Sequence, residues 1–378
     1  MTTRAQILGL LGEPPIRGPL DLTVRSESAF QGGRRLLVDY AVDEEERIPA
    51  YLLIPEPGWT APRPGTSLPA LAAGLRNASA TAPSSDTLFP PGNALRRTER
   101  YPGIIAVHRE SAHYALGKSE PAGLSANAMY HYGVELCRRG YVVLCPDLLG
   151  FEDRRPPEHQ RLEGRAPDGP EYERYVATRL LLEGTSLRAK NTFDLARGLD
   201  VLESLPMVDS ERIGAIGHGL GGTEAFWLTW YDARVRALLC SCGLTTLRTL
   251  LRDQINQNLS LYLPGLLRLT DMDALAAGLS PCPMLLTAAE GDDRCPIDGV
   301  RQVVSAAQAS YSRAGVPDQF RAILFPGERS FPPNVREESF RQLDRWLKGS
   351  SVAAQTLMVA GRIAAMEAPL AAVVGFGG

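Results

Sequence analysis

The stretch Ile213-Gly-Ala-Ile-Gly-His-Gly-Leu-Gly-Gly222 has the spacing of a site built for nucleophilic attack. An apolar run enters a glycine-rich turn that opens a helical pattern. In the G-x-S-x-G form of such an elbow, the middle residue is the attacking serine, held on a sharp strand-to-helix turn. Here the frame Gly217-His218-Gly219-Leu220-Gly221 keeps both outer glycines and puts Gly219 in the middle. Glycine has no side chain, so no acyl-enzyme forms through a hydroxyl there. The turn still offers the first N–H groups of the following helix, backed by the positive end of its dipole, and these stabilise anions.

The elements that must position this turn can be read from the rest of the chain. Its 378 residues suffice for one large α/β domain or two small ones, and 44% hydrophobic with 22% charged residues is ordinary for a globule. The net charge of −3 gives no push toward nucleic acid or an anionic membrane, and Arg96, Arg97, Arg100, Arg154 and Arg155 read as solvated faces. Neither a signal-peptide core nor a membrane-spanning run of about 18 apolar residues is evident. The six cysteines lie mostly in apolar segments, and no Cys/His cluster has zinc spacing. Free thiols, a cytoplasmic setting, no metal and no cofactor are therefore expected.

Residues 36–42 and 48–55 read as two strands joined by the acidic turn Asp43–Glu46. Residues 56–100 are crowded with Pro, Ala, Ser, Gly and Thr, and read as a flexible insertion covering a pocket mouth. Strand-like runs at 103–108, 141–147, 212–216, 235–242, 283–289 and 320–325 then alternate with helical patterns such as 191–205, 300–314 and 335–347. That alternation predicts right-handed crossovers and a doubly wound, mostly parallel α/β sheet of about eight strands flanked by helices. The expected division is an N-terminal helical or extended segment at 1–35, one α/β domain at 36–348, and an alanine-rich tail at 349–378. The tail's centre, 352–366, has helical character and would pack on the body or on a second subunit in a homodimer.

The chain resembles the α/β-hydrolase superfamily, most closely its dienelactone-hydrolase-like and acetyl-xylan-esterase-like branch. The resemblance rests on Tyr101-Pro-Gly-Ile-Ile-Ala-Val-His108, Gly117-Lys-Ser-Glu-Pro-Ala-Gly123, Arg139-Gly-Tyr-Val-Val-Leu-Cys-Pro-Asp147, Leu205-Pro-Met-Val-Asp-Ser-Glu-Arg-Ile-Gly214 and the elbow. Glu290-Gly-Asp-Asp-Arg294 and Gly327-Glu-Arg-Ser-Phe-Pro-Pro333 complete it. It implies the α/β-hydrolase fold and a Ser, Asp or Glu, His order of catalytic residues. Asp292 fills the acid position, with Asp293 as its neighbour. Gly219 stands at the serine position and Arg329 at the histidine position, and no histidine follows His218. Arg329 stays protonated and cannot act as a base. It suits a bidentate clamp on a carboxylate or enolate, or an ion pair with Asp292.

The resemblance also implies a second oxyanion donor from the loop after His108. His108 and His218 read as chemical groups or as side chains that pack and hydrogen-bond beside the turn. His113 and Tyr114 follow on the same loop, His113 as a reactant or a solvated residue. Lys118 and Glu120 flank the site as a loop anchor, or Lys118, like Tyr114, binds substrate and Glu120 serves as a base whose pKa a cleft would raise. Arg294 touches substrate or solvent, and Leu220 contributes to substrate binding beside Gly219. An anion-stabilising corner with an arginine and a base can run elimination, decarboxylation or ring closure without an acyl-enzyme. The leading expectation is thus a carbon–oxygen lyase of antibiotic or polyketide biosynthesis, for example one removing acetate from an acetylated tetronate. An ester hydrolase with a non-standard site and a non-catalytic binding protein are the alternatives. In each case the partner is a small molecule, not nucleic acid or membrane.

Overall fold

The runs Ile104–Val107, Val142–Cys145 and Ala237–Cys240 are apolar without alternation, the pattern of strands covered on both faces. The computed structural model describes residues 3–43, 46–56, 100–110 and 114–349, and there these runs form the centre of a sheet. Its nine strands are β1 (Thr23–Phe30), β2 (Gly33–Ala41), β3 (Arg47–Pro55), β4 (Tyr101–Val107), β5 (Val142–Pro146), β6 (Val208–His218), β7 (Val235–Ser241), β8 (Met284–Ala289) and β9 (Phe320–Phe325). Their order is β1-β2-β3-β5-β4-β6-β7-β8-β9. The first three pairings along that order are antiparallel, and every pairing from β5 to β9 is parallel.

Helices cover both faces. They are α1 (Arg4–Gly9), α2 (Tyr132–Arg138), α3 (Glu158–Leu162), α4 (Gly169–Leu182), α5 (Leu187–Ser204), α6 (Leu220–Tyr231), α7 (Leu247–Arg252), α8 (Leu266–Leu269), α9 (Met272–Ala277), α10 (Ile297–Arg313) and α11 (Pro333–Lys348). Successive strand residues feed opposite cores, as a period of two requires. Ile105, Val107, Leu144 and Leu238 join the core beneath α5, α6 and α10. Ile104, Ala106, Val143 and Leu239 join the one beneath α2 and α11. Among the described residues no helix is long and apolar enough to cross a membrane.

The helical patterns at 191–205, 300–314 and 335–347 correspond to α5, α10 and α11, each of which begins a few residues earlier. For α5 the cause is a cap: the Ser186 side chain accepts from the Ala189 N–H. The doubly wound, mostly parallel sheet of about eight strands is present, with nine in all, β1 lying inside the segment 1–35. That edge strand leaves most of its side chains in solvent, so Thr23-Val-Arg-Ser-Glu-Ser-Ala-Phe30 carries no core signal. The same segment opens with α1, closed by a reciprocal capping box between Thr3 and Gln6. Nearly all of the insertion at 56–100 and the tail beyond residue 349 lie outside the described residues.

α6 is buried almost all round and drives its first turn against the end of β4. A Cβ on Gly221 would stand 2.2 Å from the Val107 carbonyl oxygen and 2.5 Å from that of His108. Only glycine allows this approach, which sets the elbow beside the loop after β4. Gly221→Ala is therefore expected to destabilise the fold by about 1–3 kcal/mol. A urea midpoint equal to the parent's would show that α6 can retreat from β4.

Candidate active site

The turn from β6 into α6 places Gly219 at the C-terminal edge of the sheet, where open α/β sheets bind ligands. Gly219 has φ +58° and ψ −121°, and its N–H donates to the Ser241 carbonyl at 2.8 Å. Side chains rarely adopt this φ, as expected of a sharp elbow. The Leu220 N–H, at the start of α6, donates at 2.6 Å to Glu110 Oε2 on the loop after β4. Arg329, from the loop after β9, donates through Nη2 to Glu110 Oε1 at 2.9 Å. A Cβ on Gly219 would lie 2.3 Å from Arg329 Nη2 and 2.8 Å from Glu110 Oε2. The space of a nucleophile side chain is thus taken by a carboxylate and a guanidinium from other loops.

Asp292 lies behind Arg329. Its Oδ1 accepts from the backbone N–H groups of Arg294 (2.9 Å) and Cys295 (3.1 Å) and lies 3.7 Å from Arg329 Nη1. Burial raises the Asp292 pKa, and Arg329 opposes that rise. Burial also works against the Arg329 charge, but Glu110 and Asp292 outweigh it and hold the proton on. The nearer partner of Arg329 is therefore Glu110, not Asp292. Around the pair lies a cavity of about 20 Å³, lined among others by Thr223, Cys242, Leu250, Gln257, Asn258 and Cys295. That volume holds about one water molecule.

The other predicted residues brace the site. His108 is fully buried, and both ring nitrogens are engaged. Nδ1 lies 2.9 Å from the Arg109 carbonyl oxygen and Nε2 accepts from the Leu148 N–H at 3.0 Å, so the tautomer is set and no ring edge faces a ligand. Glu120 is buried and accepts from Arg109 Nε and Nη2 at 3.2 and 3.1 Å. Arg109 donates in turn to the Glu110 carbonyl at 3.0 Å. Burial raises the Glu120 pKa, with Arg109 opposing, yet its carboxylate fastens the loop that presents Glu110. Lys118 Nζ is surrounded by Asp147 (2.8 Å), Glu152 (2.7 Å) and Asp153 (2.8 Å). These three carboxylates are close enough together to hold a metal ion, and the lysine ammonium already stands among them.

Tyr114 stacks on Phe151 at 4.7 Å and donates to Glu173, whose carboxylate also accepts from Asn258, a wall of the elbow cavity. Arg294 holds Gln257, a cavity wall, through its carbonyl oxygen at 2.5 Å. His113 lies outside the described residues. His218 is buried beneath the turn, with Nδ1 2.9 Å from Ser241 Oγ. This serine–histidine pair is sealed from solvent and does not line the cavity. Burial, then Arg329 and Arg109, drives the His218 pKa well down, so the ring is neutral.

Glu110 escaped the reading of the sequence. It lies two residues beyond His108, at the sheet edge where a carboxylate can meet a ligand, while the two histidines on either side drew the attention. The loop after β4, from which the resemblance implies an oxyanion donor, presents this acceptor in its described part. The arrangement can hold one negative charge on an amide and a guanidinium, and it places one carboxylate beside them.

The profile of the dienelactone hydrolase family matches residues 119–312. YtaP of Bacillus subtilis (strain 168), an inferred hydrolase, is 25% identical over 353 residues, spanning 91% of this chain and 98% of that protein. Among solved structures, an inferred acetyl xylan esterase from Bacteroides fragilis NCTC 9343 is similar with a TM-score of 0.60 at 14% identity, covering 94% of this chain and 86% of the other. A glucuronoyl esterase from Solibacter usitatus follows with 0.57 at 16%, covering 90% and 91%. At such identities the structural likeness is one of fold.

Burial lowers His108 to about 4 from an ordinary 6.5. As the pH falls, the unfolded chain takes up this proton first, so the stabilisation present above about 6.5 is lost on the way down to about 4, by up to roughly 3 kcal/mol. Urea midpoints at several pH values should show the decline, and His108→Gln should flatten it. An equally steep slope in that variant would mean that the ring is not held neutral.

Proposed function

The chain belongs to the dienelactone hydrolase family, and from that premise we propose that it is a hydrolase acting on acyl esters or lactones without a covalent acyl-enzyme. Glu110 is the general base, and the Leu220 N–H and Arg329 stabilise the developing oxyanion. One observation carries this reading: the nucleophile's space above Gly219 holds the Arg329–Glu110 pair, with the Leu220 N–H donating to the same carboxylate.

The steps follow from that geometry. An incoming carbonyl oxygen takes over the Leu220 N–H from Glu110. The Glu110 carboxylate, released from that hydrogen bond, takes a proton from water as general base. The hydroxide adds to the carbonyl carbon, and the oxyanion is held by the amide, the helix dipole and Arg329. Collapse expels an alkoxide, to which Glu110 returns the proton. Asp292 keeps Arg329 charged and in place throughout.

A second reading is favoured by the carboxylate already resting on these donors. Acetate leaving an acylated substrate, such as an acetylated tetronate, would be stabilised there in the same way. Glu110 would then remove a proton from carbon, and the reaction would be an elimination. The hydrolase and esterase names of the relatives put hydrolysis first.

Incubating a panel of acyl esters, lactones and acetylated enols in oxygen-labelled water separates the two. Hydrolysis by water attack at the carbonyl puts the label in the acid product, whereas elimination yields an unlabelled acid and an alkene. Glu110→Gln should lower turnover by at least about a hundredfold. Fluorophosphonate should leave the parent's elbow unmodified and tag the double variant Gly219→Ser/Arg329→His. Full turnover in Glu110→Gln would overturn the assignment of the base, and absence of product from every substrate would leave a binding protein.

A further inference from the structure

The excursion between β7 and β8, residues 242–283, passes over the elbow and supplies Leu250, Gln257, Asn258 and Leu261 to its cavity. On its outer side the same excursion forms a second cavity of about 380 Å³, within the usual range of small-molecule pockets. Its walls are Leu247, Leu250, Leu251, Tyr262, Leu263 and Leu266, with Arg268 at the exposed edge. Leu247, Leu250 and Leu251 share one side of α7 because they recur at three- and four-residue spacing. Leu251 nevertheless remains 60% exposed. An apolar side chain left in water at the rim of an apolar hollow marks a binding surface.

The two cavities share Leu250, which is buried and forms the partition between them. The elbow cavity, at about 20 Å³, admits only the reacting atoms, so the rest of a substrate must lie elsewhere. A further hollow of about 500 Å³ among the described residues is lined by Asp273, Asp298, Arg301 and Arg313 among others, and shares no residue with the elbow cavity. We propose that the leucine-lined groove of residues 247–268 is the acyl subsite, holding a medium-length alkyl chain whose carbonyl end reaches Gly219 past Leu250. Burial of methylenes against leucine gives the affinity, and the groove's length sets the preferred chain. This inference rests on the reading that the elbow receives the reacting carbonyl.

Straight-chain saturated carboxylates from acetate to dodecanoate, titrated calorimetrically into the full chain, provide the test. Affinity should rise by up to about fourfold per added methylene until the groove is filled. Leu251→Glu, at an exposed position that folding tolerates, should weaken decanoate binding by at least about tenfold and leave acetate unaffected. Leu182→Glu, at an exposed leucine of α4 that does not line the groove, should change neither. Affinity independent of chain length, or decanoate binding unaltered in Leu251→Glu, overturns the proposal. So does a parent dimer that Leu251→Glu dissociates without ligand, which would make the groove a contact between copies. A rising series with no turnover of any ester sinks the proposed function and keeps the subsite. Turnover that is flat across chain length does the reverse.

Discussion

The contact between the Glu110 carboxylate, the Leu220 N–H and the Arg329 guanidinium is the constraint around which the site is arranged. Three loops meet there, after β4, β6 and β9, at one edge of one sheet. A helix N-terminus leaves unpaired N–H groups and attracts negative charge, and Glu110 answers that attraction from within the chain. An unpaired arginine in the same place would suffer the cost of burial without compensation. With Glu110 in front and Asp292 behind, its charge is retained, and the elbow stays organised around an anion even though residue 219 offers none.

Behind that contact lies a layer of charged braces. Arg109 ties the Glu110 carbonyl to Glu120, His108 joins the β4 loop to Leu148, and Lys118 gathers Asp147, Glu152 and Asp153. Buried pairs of this kind add little net stability, because desolvation offsets most of their attraction. Each partner nevertheless holds the other in one geometry, and the result is a loop that presents Glu110 at a defined point. Residues whose types look reactive are thereby turned to positioning. The same physics appears beneath α6, where Arg188 and Glu224 pair with no exposure at all and Asn191 donates to the same carboxylate.

The excursion between β7 and β8 has a different character. It meets the elbow with the amides of Gln257 and Asn258 and the thiol of Cys242 on one side, and carries a row of leucines on the other. The elbow can thus serve the reacting atoms while the bulk of a ligand is recognised next door, with Leu250 as the shared wall. In the proposed arrangement the elbow supplies the chemistry and the leucine-lined groove the specificity, two separate parts of the chain.

Patterns of short range were legible in the amino-acid order. Apolar strands covered on both faces, amphipathic helices between them and the glycine frame of the elbow depend on neighbours within a few residues, and the structure has them. The motif positions of Asp292 and Arg329 were legible only through the family resemblance; Arg329 adjoins the elbow and Asp292 lies behind it. The edge strand β1 was not, because its side chains face water and leave no imprint on composition. Glu110 was not, because its role depends on Leu220 and Arg329, which lie 110 and 219 residues away. Nor could side-chain type alone divide reactant from brace among His108, Lys118 and Glu120. That division follows from which hydrogen-bonding atoms are already engaged, a property of the folded chain and of no single segment of it.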